Sequence, residues 1–149
     1  MKSIFILVAL LHFCHIHAQS LNIQKAFGGS NNDYAQEIQK AAHNGYIMIG
    51  SSRSFNTNNS SDLYIVRIDS QYNIAWTKIL NTLFIINEFG ASICATADGG
   101  YVYVGNYDGG FSPSVPHIYL SKIDSMGNNL WSKSFAGGIA TKLIATYDG

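Results

Sequence analysis

Apolar and polar positions along this chain fall into short runs cut by turn residues, with no long helical period after the first twenty residues. The segments 35–42, 46–52, 62–68 and 74–80 are of strand length, and the last three are rich in Ile, Val, Tyr and other strand formers. His43-Asn44-Gly45 separates the first two, where a tight hairpin needs residues that accept positive φ. Asp69-Ser70-Gln71-Tyr72-Asn73 separates the last two, with an aspartate able to accept from nearby backbone amides. The stretches Tyr46-Ile47-Met48-Ile49 and Tyr101-Val102-Tyr103-Val104 are apolar on both parities. An antiparallel sheet with one wet face alternates, so this pattern predicts sheets covered on both faces by neighbours.

The pattern then repeats. Tyr46, Gly50, Tyr64, Asp69 and Trp76 recur as Tyr101, Gly105, Tyr119, Asp124 and Trp131, each pair fifty-five positions apart. The units are approximately 28–80 and 81–135, followed by a shorter third, 136–149, in which Lys142 onward matches Ser92 onward at an offset of fifty. A fixed period of this length signals stacked copies of one supersecondary unit. Four-stranded antiparallel sheets stacked about an axis are propeller blades, whereas a two-sheet sandwich does not predict matched units at fixed spacing. The expected fold is therefore all-β, with two complete propeller-like repeats and partial ones flanking them. Residues Ile23-Gln24-Lys25-Ala26-Phe27 resemble Trp131-Ser132-Lys133-Ser134-Phe135, so the chain after its leader begins as a fourth strand without the preceding three. Propellers need four to eight blades. The sequence thus reads as the N-terminal part of a longer protein, its remaining faces covered by further blades, or as a shortened gene product whose faces are covered by self-association.

Composition adds a compartment. Lys2 followed by the apolar run 4–11 and then Ala18-Gln19 has the layout of a secretory signal peptide over residues 1–18, too short to span a bilayer. Phe13, directly before Cys14, argues against a lipoprotein cut there. Residues 19–149 form the predicted repeat region, with no transmembrane segment, secreted or held at the cell surface. Without Lys2 the chain keeps eight basic side chains against nine acidic ones, which gives no electrostatic case for nucleic acid. Cys94 would then be alone in an apolar stretch, a small buried hydrophobe rather than a disulfide partner.

The segments Asp98-Gly99-Gly100-Tyr101, residues 62–69 and residues 127–135 carry a family resemblance. They are similar to the DGGY…G…D-x-Y-L-x-K-x-D…G-x-x-x-W-x-K-x-F-G-G propeller repeats of secreted proteins from Bacteroidetes-like bacteria. The resemblance implies a scaffold module and carries no activity with it. The chain departs from that pattern at His43-Asn44, at Asn73 and at 82–87.

Candidate chemistry is sparse. Asp69, Asp98, Asp124 and Asp148 stand apart among neutral residues, which favours turn capping over calcium. His43 and His117 do not make a transition-metal set, and Trp76 and Trp131 read as inter-sheet packing. No catalytic residue, cofactor or metal is expected. The polar loops, with Asn58, Asn59, Tyr107 and Phe111, are rich in Asn, Ser and aromatics, a composition suited to binding a protein or glycan. The leading expectation is an exported, non-enzymatic scaffold. A secreted glycan-active enzyme assembled from several blades, or a structural spacer of an adhesin, stands as the alternative.

Overall fold

The computed structural model describes residues 24–55, 60–80, 87–108 and 115–146. The expected leader 1–18 and the loop residues Asn58, Asn59 and Phe111 lie outside them. Eight strands follow one another: β1 (Asp33–Lys40), β2 (Tyr46–Ser52), β3 (Asp62–Ile68), β4 (Ile74–Leu80), β5 (Glu88–Ala95), β6 (Tyr101–Tyr107), β7 (His117–Ile123) and β8 (Asn129–Ala136). They form two four-stranded antiparallel meanders, β1-β2-β3-β4 and β5-β6-β7-β8, and the described residues contain no helix. The predicted bounds of β2, β3 and β4 hold. The first strand lies two residues earlier than expected, because Ala41 N–H donates to Gly45 O (3.1 Å) and so closes a turn that takes in Ala41 and Ala42. Asn44 and Gly45, at φ 62° and 74°, supply the left-handed backbone of that turn.

The repeated glycines have a steric cause. The β1–β2 register shifts between Ala35 and Glu37, and the β5–β6 register shifts between Gly90 and Ser92, so each first strand carries a bulge. Gly50 and Gly105 sit opposite those bulges, paired with Ala35 and Gly90. A Cβ on Gly50 would lie 1.8 Å from the Tyr34 carbonyl oxygen, and one on Gly105 would lie 2.8 Å from that of Phe89.

The first sheet packs its face against β5, which touches β1, β2 and β3. Ile47, Ile49, Leu63 and Ile65 from the first sheet meet Ile93, Tyr101, Tyr103 and Ile123 from the second in one buried cluster. β3 is buried along its whole length, as a strand covered on both faces should be. β8, on the far side of the second sheet, is exposed along its whole length.

Candidate functional site

A dense convergence of polar groups lies where β1 and β5 meet. The bulge places Glu37 of β1 against the bulge of β5, and its carboxylate accepts from Ser92 Oγ (2.7 Å) and Ile93 N–H (2.9 Å) through Oε2. Its Oε1 accepts from Gln39 Nε2 (3.1 Å) and from the Lys142 ammonium. Ser92, fully buried, in turn accepts from Leu143 N–H (3.0 Å). Glu37, Ser92 and Lys142 occupy one position of successive units, at offsets of fifty-five and fifty. The contact itself is also repeated: Ile93 N–H reaches Glu37, and one unit later Leu143 N–H reaches Ser92. Asn106 holds the same terminal segment, exchanging two 2.8 Å bonds with the Ala140 backbone. With four donors on the carboxylate and the serine hydroxyl bonded on both sides, this cluster clamps three inner segments together.

The second inter-sheet group centres on Arg67. Its guanidinium, on an almost fully buried side chain, donates to the Tyr101 hydroxyl of the second sheet (3.0 Å), to Asn44 O (2.7 Å) and to Ile68 O. Tyr101 also meets the edge of Trp76, with ring centroids 6.3 Å apart and an interplanar angle of 68°. Trp76 donates from Nε1 to Ser125 O (3.0 Å). Trp76 thus lies between the two sheets, whereas Trp131, expected to pack in the same way, stands 38 % exposed on β8.

Asp69, Asp98 and Asp124 accept from backbone amides of their turns, and Asp148 lies outside the described residues. Asp69 Oδ1 accepts from Gln71 and Asn73 N–H, and Asp124 Oδ1 accepts from Met126 and Asn128 N–H, all at 2.8–2.9 Å. Asn128 hydrogen bonds hold Asp124 below its ordinary carboxylate range. Asp98, paired with Lys122 and bonded to Thr96, is held far lower still, first by the Lys122 bond. Asp33 feels burial that opposes ionisation, but bonds from Ser52, Gly29 and Ser54 outweigh it and keep the group below its ordinary value. Among the described residues, no three His, Cys, Asp or Glu side chains gather as a metal site. Burial pushes the Cys94 thiol up, which keeps it a protonated, weakly nucleophilic group.

No protein-family model and no curated protein matches the chain. Its own geometry therefore carries the functional reading.

The remaining sequence-flagged residues divide by position. Tyr46 stacks on Tyr72 (6.3 Å), and Tyr64 packs against Phe55 (5.2 Å), its phenol pushed up by burial and then by Asp33. Tyr119 meets Tyr103 (6.0 Å) and shares a hydrogen bond with Ser132 Oγ. Tyr107, the last residue of β6, stacks on His117, the first of β7, with centroids 4.9 Å apart, a half-exposed aromatic pair. Trp131 stands on exposed β8 beneath the Lys133 ammonium, 5.8 Å from the ring centre. Sequence reasoning missed Glu37, Ser92 and Arg67. Glu37 and Ser92 stand fifty-five positions apart, at the same point of the pattern, but their side chains differ, so residue identity does not reveal the pair.

Proposed function

We propose that this chain is part of an exported propeller-type scaffold whose loops between second and third strands bind a protein or glycan. The observation that carries the reading is the recurrence of one unit-to-unit contact along the innermost strands. Ile93 on Glu37 and Leu143 on Ser92 are the same step taken twice, which is what successive units turning about a common axis require. The polar clusters at that step are saturated by their own neighbours, which favours support over chemistry. Export rests on Lys2 and the apolar run that follows it. The Tyr107–His117 pair offers flat ring surfaces where β6 ends and β7 begins, the kind of amphipathic contact that adaptable binding surfaces use.

The test is binding of the leaderless chain to a glycan array and to a panel of purified extracellular proteins. Tyr107→Ala together with His117→Ala should weaken the strongest interaction by about tenfold or more, as loss of a central aromatic anchor does. Binding untouched by that change and by replacement of the 107–111 loop would remove the loop from the reading.

A further inference from the structure

The turn that joins β1 to β2 carries Asn44-Gly45, the single Asn-Gly pair of the chain. Its counterpart between β5 and β6, fifty-five positions on, is Gly99-Gly100, and the two turns are held differently. In the second, Thr96 N–H donates to Gly100 O (2.9 Å), Gly99 N–H donates to Thr96 O (3.0 Å), and Gly100 N–H donates to Asp98 Oδ1 (3.2 Å). The first keeps only the outermost of these bonds, from Ala41 N–H to Gly45 O (3.1 Å). His43 stands where Asp98 does, so the Gly45 amide has no such carboxylate to bond. Among the described residues nothing bonds the side-chain amide of Asn44, which is exposed.

The two groups that can react with each other are thus unencumbered. Glycine places no side chain beside its nitrogen, and Asn44 Cγ stands one residue back, the spacing that closes a five-membered ring. When the Gly45 nitrogen gives its proton to base it attacks Cγ. The N–Cγ bond forms, the bond from Cγ to the side-chain nitrogen breaks, and that nitrogen leaves as ammonia with a proton returned to it. The resulting succinimide takes up water at either of its two carbonyls. Addition at the main-chain carbonyl breaks its bond to the Gly45 nitrogen, leaves the chain running through Cγ, and turns the former Asn44 C=O into a free carboxylate, which is isoaspartate. Addition at Cγ gives aspartate instead.

Arg67 bears on that choice. Its Nη2 donates to Asn44 O (2.7 Å), from a side chain that is almost fully buried and is held by the Tyr101 hydroxyl (3.0 Å) and the Ile68 carbonyl. A guanidinium fixed on the main-chain carbonyl draws electron density from its carbon and stabilises the negative oxygen that develops as water adds. The carboxylate so formed then pairs with the same cation. The second unit has no such arrangement, because Lys122 at the position of Arg67 is engaged by Asp98. We propose that Asn44-Gly45 is a self-modification site, at which Asn44 passes through a succinimide to isoaspartate and Arg67 directs water to the main-chain carbonyl. This rests on the bonding of one turn and neither on loop binding nor on the propeller reading, so it stands or falls apart from them.

Incubation of the leaderless chain in mildly alkaline buffer, followed by peptide mass spectrometry, tests this, because each event exchanges NH for O and adds about 1 Da. Fragmentation that separates the two isomers gives their ratio. The folded chain should convert at Asn44, with more isoaspartate relative to aspartate than an unfolded peptide of residues 40–47 gives under the same conditions. His43→Asp supplies the carboxylate that the second turn has, and should slow the conversion by about tenfold, the worth of one charge-assisted bond to the attacking amide, with circular dichroism confirming the fold. Gly45 is kept throughout, since a Cβ there would lie 2.1 Å from the Ile68 carbonyl oxygen. An Asn44 that persists in the folded chain while the peptide converts overturns the proposal. An isomer ratio equal to that of the peptide overturns it too, by removing Arg67 from the reaction, and so does conversion at the native rate in folded His43→Asp.

Discussion

Arg67 and Lys122 occupy the same point of their units, yet they do different work, and the difference traces to one further position. Lys122 pairs with Asp98 across its own sheet. The counterpart of Asp98 in the first unit is His43, so Arg67 has no such carboxylate beside it and extends to the Tyr101 hydroxyl of the next sheet. A planar guanidinium can serve several carbonyls and a hydroxyl at once, which a lysine ammonium at the same place could not match. Tyr101→Phe removes one acceptor from a buried cation without opening a cavity. The expected loss is about 1–3 kcal/mol of stability, the penalty for stranding a buried donor, measured as a shift in the urea midpoint at unchanged slope. No shift would mean that the carbonyls of Asn44, Ile68 and Tyr46 satisfy the guanidinium without the hydroxyl.

At the scale of elements, the strands and hairpins were legible because each follows from local chemistry. β-branched and aromatic runs gave β2, β3 and β4 their bounds, and Asn44-Gly45 and Gly127 marked turns that require left-handed backbone. The bulges of β1 and β5 were not legible, because a bulge is a property of pairing with the neighbouring strand and has no composition of its own. It was the bulge that gave the recurrent Gly50 and Gly105 their meaning and that aimed Glu37 at Ser92. Gly105→Ala should therefore cost far more than Gly137→Ala. The first drives a Cβ against Leu63 and the Phe89 carbonyl, while the second, at φ 79°, has open space and pays only backbone strain of about 1–2 kcal/mol. Thermal unfolding of the two variants side by side checks the order, and equal losses would show that the bulge relaxes.

For the molecule as a whole, acid should be the effective denaturant. Asp33, Asp98 and Asp124 are all held below the ordinary carboxylate value of 3.8 by bonds formed only on folding. Groups depressed in the folded state contribute stability that is present above about pH 4 and lost as pH falls toward their folded values. Stability measured by urea unfolding should be level from about pH 5 to about pH 8 and decline steadily below about pH 4. Asp33→Asn should flatten part of that decline, because Ser52, Ser54 and Gly29 would then face a neutral amide.

The sequence by itself determined the all-β character and the succession of strands and turns, because strand propensity and turn residues act over a few neighbours and leave their mark in one dimension. Only the tertiary structure decided which side chains meet across sheets. Glu37 with Ser92 and Lys142, Arg67 with Tyr101, and Trp76 with the Ser125 carbonyl join residues from separate sheets or from opposite ends of the described chain. Such contacts depend on how one twisted sheet lies on another, and that geometry is set by the packing of whole faces.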